Sequence, residues 1–179
     1  MDQFRKACEE GDAETIATLL KKGVHVDENY FFFHPEHIGL GSMLNRTLIW
    51  ACITGDTQVV NILLNKGATL SEYVDHYPPL HCACTHGHKD VAKVLLENGA
   101  DVNYKRNYWR NGVSTTETPL LLACKNGHVD VVKVLLDNGA DVDENIHMTP
   151  LYISWMSSHS DVINLLNERG KKTKVQVLW

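Results

Sequence analysis

Thr118-Pro119-Leu120-Leu121-Leu122-Ala123-Cys124-Lys125-Asn126-Gly127-His128, followed by Asp130-Val131-Val132 and Leu135-Leu136 and closed by Gly139-Ala140-Asp141-Val142-Asp143, is the stretch that decides the fold. Thr118 suits a helix N-cap, and Pro119 at the first helical position sacrifices no amide donor. Ala123 keeps this first helix narrow, so that a neighbour can approach. Gly127 turns the chain back, and apolar residues at helical spacing then lead to the Leu pair. Gly139 ends the second helix in a left-handed conformation that β-branched residues tolerate poorly. The same interval of twelve positions recurs along the chain, between Gly11 and Gly23, Gly55 and Gly67, Gly87 and Gly99, and Ser158 and Gly170. A fixed internal unit with variable spacing between units predicts stacked helix pairs, an all-α architecture that offers surfaces rather than pockets.

Bulk properties agree. The chain has 179 residues and a formal net charge of −5, which gives no global electrostatic case for nucleic acid. The first ten residues lack the apolar segment of a secretory signal, and no apolar run approaches a membrane span, which needs roughly 18 residues. A soluble, monomeric protein of the cytoplasm, or of the nucleus, is expected. Cys8, Cys52, Cys84 and Cys124 each stand three residues before a mid-unit glycine. Stacked helices lie about 8–10 Å apart, and a disulfide needs Cα atoms within about 7 Å. These thiols therefore read as small buried hydrophobes in a reducing compartment.

The third unit reads Pro79-Leu80-His81-Cys82-Ala83-Cys84-Thr85-His86-Gly87-His88, then Asp90-Val91 and Val94-Leu95-Leu96, closing on Gly99-Ala100-Asp101-Val102-Asn103. With the fourth, it resembles the ankyrin repeat, whose pattern is Thr-Pro-Leu-His, Ala, Gly-His, Leu-Leu and Gly-Ala-Asp-Val-Asn. The resemblance runs from about Phe4 to Gly170. It implies an ankyrin-repeat α-solenoid over 1–179, a single domain of stacked helix–turn–helix units with β-hairpin fingers. The units fall at about 2–29, 46–77, 78–106, 118–145 and 149–172. Arg5 and Lys6 in the first and Asn167 in the fifth are expected to wet the outer faces of the two end units. The second unit carries Arg46-Thr47-Leu48 where Thr-Pro-Leu is expected. In the fifth, Ser158 replaces the mid-unit Gly and Trp155 the small Cys, so the indole is expected to cover the open end of the stack.

Successive mid-unit turns are 44, 32, 40 and 31 residues apart, against a family period of about 33. The excess marks finger insertions at 30–45 and 105–117, and such insertions map to one face. The first holds Tyr30, Phe31, Phe32 and Phe33. The second holds Arg106, Tyr108, Trp109 and Arg110, and the ordinary finger between them has Tyr73, His76 and Tyr77. Aromatic residues with arginine suit interface anchors. Phe31–Phe33 also fit packing against the outer helices or a neighbouring finger. The resemblance further implies that residues just before each mid-unit Gly face a concave groove, among them Ile53, His86, Lys125 and Met156. It also makes Asn103 a candidate acceptor for asparaginyl hydroxylation.

No nucleophile elbow, phosphate loop or zinc-protease stretch is present. His76, His81, Cys82, Cys84, His86 and His88 invite a zinc reading. Once the repeat positions are subtracted, however, too few ligands remain for a closed four-ligand site. No catalytic residue, metal or cofactor is expected, and no small-molecule substrate, nucleic acid or membrane partner. The expected function is a non-enzymatic adaptor or scaffold that binds a protein through its groove and fingers. The competing expectations are a small ankyrin-repeat inhibitor or regulator of an enzyme or transcription factor, or a host-directed effector.

Overall fold

A computed structural model describes residues 40–70, 78–110, 113–142 and 149–176, together with Gln3, Thr15, Thr18 and Leu19. Eight helices and one hairpin are described. In chain order these are α1 (Leu40–Thr54), α2 (Thr57–Asn65), α3 (Pro79–His86), α4 (Lys89–Glu97), β1 (Arg106–Arg110), β2 (Val113–Glu117), α5 (Pro119–Lys125), α6 (Val129–Asp137), α7 (Pro150–Met156) and α8 (Ser160–Gln176). Each odd-numbered helix packs on the even-numbered helix that follows it, and each also packs on its counterpart in the next unit. The result is two layers, an inner row α1-α3-α5-α7 and an outer row α2-α4-α6-α8.

The local causes are the expected ones. Thr118 and Thr149 lie in extended backbone, and their hydroxyls accept from the amides of Leu121 and Tyr152, both at 3.2 Å. Pro119 and Pro150 follow at the first helical position. Leu48, Leu63, Leu95, Leu120 and Leu135 are wholly buried between the layers. Each contributes roughly 1.5–3 kcal/mol of apolar burial. Ala51, Ala83, Ala123 and Ser154 hold one small-residue place on successive inner helices, and all are fully covered. Gly67, Gly99 and Gly139 end α2, α4 and α6 at φ of +93°, +89° and +84°.

Three expectations need correction. Helix α1 begins at Leu40, inside the stretch assigned to the first insertion, and runs unbroken through Arg46-Thr47-Leu48. With Arg46 where Thr would cap a new helix and Thr47 where Pro would open it, nothing interrupts the one already under way. Second, Gly170 does not end the last outer helix, because α8 continues to Gln176. No Ala-Asp turn follows that glycine as it does Gly99 and Gly139; Lys171 and Lys172 follow instead, and both favour helix. Third, Trp155 sits at the end of the stack as expected, but Leu151 and Tyr152 beside it remain 42% and 47% exposed, so the indole covers that end only in part.

Candidate functional site

The surface that could meet a partner is built from two kinds of residue. One is the exposed last turn of each inner helix; the other is the hairpin. Ile53, Thr85, Lys125 and Met156 occupy the same place in four successive units, two residues before the mid-unit turn. Ile53, Lys125 and Met156 are exposed, as is His86 one residue further on in α3. The polar members of this strip bond back to their own helices. Thr85 Oγ1 donates to His81 O at 2.8 Å, and Asn126 Nδ2 donates to Leu122 O at 2.8 Å. His86 Nδ1 donates to Cys82 O at 2.9 Å.

The backbone of the strip is fixed from outside. His88 Nε2 donates to Ile53 O at 2.8 Å, His128 Nε2 to Thr85 O at 3.0 Å and His159 Nε2 to Lys125 O at 3.0 Å. A carbonyl can only accept, so each Nε2 carries the proton. The third, fourth and fifth units thus each hold a strip carbonyl of the unit before them. The imidazoles reach that carbonyl by lying over the mid-unit glycine. A Cβ on Gly87 would come within 2.6 Å of His128 Nδ1. Ser158 also has positive φ (61°), and it is exposed, so a side chain fits there. The sequence had marked these histidines only as part of a Gly-His turn. Their recurrence at one register was the signal for an inter-unit bond.

The second unit differs. Asp56 stands where the third, fourth and fifth units have His, and its carboxylate caps α2 by accepting from Val59 N at 3.0 Å. A second bond between units comes from Asn103. Its Nδ2 donates to Gly139 O at 3.2 Å, and its Oδ1 accepts from Asp141 N at 2.9 Å. The candidate hydroxylation site is therefore engaged at both ends of its amide.

Antiparallel strands β1 and β2 pair Arg106 with Glu117 through to Arg110 with Val113. The dipeptide between them is Asn111-Gly112, the strongest short hairpin signal and one the sequence reading passed over. Tyr108, Trp109 and Arg110 lie on β1 towards this connection; their side chains, like Tyr30, Phe31, Phe32, Phe33, Tyr73, His76 and Tyr77, lie outside the described residues. Arg106, expected to face a partner, anchors the hairpin instead. Its Nη1 bonds Glu117 Oε2 at 3.0 Å, and the two side chains are only 18% and 13% exposed. His81 Nε2 donates to Glu117 O at 3.3 Å, joining the hairpin to α3.

Burial dominates the chemistry at this anchor. His81 is fully covered and meets Tyr104 edge-on at 5.8 Å. Burial, aided by the nearby Arg106 charge and opposed by the Glu117 carbonyl, pushes its pKa down to about 4. Its Nδ1 finds no hydrogen-bond partner among the described residues. Pro78 stands where Thr118 and Thr149 cap the later inner helices, and it offers no side-chain bond. Leu70, Pro78, Leu80, His81, Ala100 and Tyr104 help line a recess of about 270 Å³ beside the hairpin base. Cys52, Cys82, Cys84 and Cys124 are free and buried. Burial pushes the thiols of Cys82 and Cys124 up to about 12, and those of Cys52 and Cys84 well above their ordinary value. Among the described residues, no group of three His, Cys, Asp or Glu could hold a metal ion. No described helix is long and apolar enough to cross a membrane.

Comparison with known proteins follows the same geometry. A family described as Ankyrin repeats (3 copies) matches residues 4–106, and one described as Ankyrin repeats (many copies) matches 80–136 and 120–166. A palmitoyltransferase, AKR1, of Candida albicans is 40% identical over 70 residues, covering 37% of this chain and 8% of its own. The serine/threonine-protein kinase VIK of Arabidopsis thaliana is 41% identical over 66 residues, or 36% of this chain and 15% of its own. A human protein with ankyrin repeats, a SAM domain and a basic leucine zipper is 28% identical over 107 residues, or 57% and 20%. The chain thus spans a fifth or less of each of these three relatives, and what it shares with them is repeat sequence. With family matches running from residue 4 to residue 166, and helix pairs and turn glycines in agreement over the described residues, the chain belongs to the ankyrin-repeat family.

Proposed function

We propose that this chain is a non-enzymatic adaptor or scaffold, acting in the cytoplasm or nucleus, that binds a protein partner through its inner-helix strip and aromatic fingers. The observation that carries the reading is the anchored hairpin. The insertion between the third and fourth units is not loose chain but two paired five-residue strands. Their base is tied down by an ion pair, a histidine bond and a Thr116–Asn107 side-chain bond of 2.6 Å. Rigid support for a projecting element lowers the ordering cost on binding. Tyr108, Trp109 and Arg110 are of the residue types that dominate interface energies. On this reading Ile53, His86, Lys125 and Met156 extend the contact along the stack.

The test follows from the anchor. Residues 108–115 are replaced by Asn-Gly, leaving the Arg106–Glu117 rung and Glu117's bond to His81 in place. The expected result is unchanged helical circular dichroism and melting, with loss of the protein captured from lysate by the parent. Equal capture by both proteins would remove the finger from the proposal. Unfolding of the shortened protein would make the hairpin a structural element.

A further inference from the structure

The open end of the stack carries an apolar face on α7. Leu151, Tyr152, Trp155 and Met156 are 42%, 47%, 67% and 57% exposed. Their counterparts one unit earlier behave in the opposite way. Leu120, Leu121 and Cys124 are 1%, 8% and 0% exposed because α7 itself covers them. At the fourth place the earlier unit has the exposed Lys125, and this unit has Met156. The polar end face expected of the fifth unit exists only on the outer helix, where Asn167 is exposed.

We propose that this face binds a second copy of the chain, with the two α7 helices packed antiparallel about a two-fold axis. Charge is the first argument for that occupant. Residues 149–160 contain no Asp, Glu, Lys or Arg, in a chain that is 22% charged and carries −5 overall. Two such faces meet without the repulsion that the rest of the surface imposes. Shape is the second. Leu151 and Trp155 stand one helical turn apart, so a two-fold axis between them sets each indole over the partner's leucine. Trp155 also excludes the alternative of a further repeat in ordinary register. Cysteine holds its place in α1, α3 and α5, wholly buried between neighbouring inner helices, and an indole does not fit there. The tilted Tyr152–Trp155 contact, at 6.5 Å between centroids, supports the ring from its own chain. The finger contact proposed above does not enter this inference; the two surfaces share Met156.

Sedimentation equilibrium of the full chain should show the mass rising from 20.2 kDa towards twice that value with concentration. Trp155→Glu and Leu151→Lys should each weaken the dimer at least about tenfold, a change of about 1.4 kcal/mol. Mixed one to one, the two variants should associate again, because the antiparallel arrangement sets one variant's carboxylate against the other's ammonium. Helical circular dichroism checks that both variants stay folded. A wild-type chain that remains monomeric across the range overturns the proposal and leaves the face to an unrelated partner. A dimer that survives Trp155→Glu overturns it equally. Variants that fail to recombine overturn the antiparallel pairing.

Discussion

At the scale of single residues, the mid-unit turn shows two demands on one position. Gly87 must bear a φ of +80° and must also leave room for His128. Ser158 meets only the first demand, at +61°. Ser158→Gly should therefore stabilise the protein by about 0.5–1 kcal/mol by relieving the left-handed strain. Gly87→Ala should cost more, roughly 2 kcal/mol or above, because strain adds to displacement of the ring and loss of its bond. Urea melts of the two variants check the order, and equal and opposite shifts would mean that the ring plays no part. Sequence alone showed the glycines and the missing one. It could not show why serine is tolerated at that turn, because the reason lies in the space around the turn: position 158 is exposed, whereas a ring lies against Gly87.

The hairpin and its anchor show what is decided at the scale of elements. His81 is held neutral, with its pKa lowered from 6.5 to about 4 mainly by burial. Above the ordinary histidine range neither the folded nor the unfolded chain protonates it, so pH has no leverage through this group. As pH falls from about 6.5 to about 4, the unfolded chain takes up a proton that the folded chain refuses, and stability is lost. The shift corresponds to roughly 3 kcal/mol by pH 4. Thermal melts at pH 7 and 4.5 should show a larger acid loss for the parent than for His81→Asn, and parallel losses would contradict the assignment. The insertion was legible from spacing, and its aromatic and basic content was plain. That Arg106 serves the anchor and not the surface depends on its cross-strand pairing with Glu117, which composition does not reveal. The start of α1 was misplaced for a related reason. Position 46 was aligned to a repeat pattern, while the helix was already running from Leu40.

Over the whole molecule, stability should be graded. The third and fourth units have neighbours on both sides and histidine bonds to each. The fifth is bonded backwards by His159 and by the Arg169–Asp137 ion pair, and its far side is open. Native-state hydrogen exchange should therefore be slowest in α3–α6 and faster in α7 and α8. His128→Ala should narrow that difference by removing the bond between the third and fourth units. It should lower overall stability by about 1 kcal/mol, the net worth of such a bond. Uniform exchange along the stack would mean that it opens only as a whole. The repeat order was almost fully readable from sequence, since each unit repeats its own local instructions. The open apolar end was not, because it depends on what a helix lacks beside it.

All three histidine bonds point the same way, each from a later unit to the carbonyl of the one before. A copied internal unit would bring its own donor and offer its own acceptor, so the stack could be lengthened or shortened mid-chain with every junction regenerated. The termini have no such freedom, since moving either inward would strip one partner from a junction built for two. Growth by insertion and resistance to trimming are two sides of the same polarity.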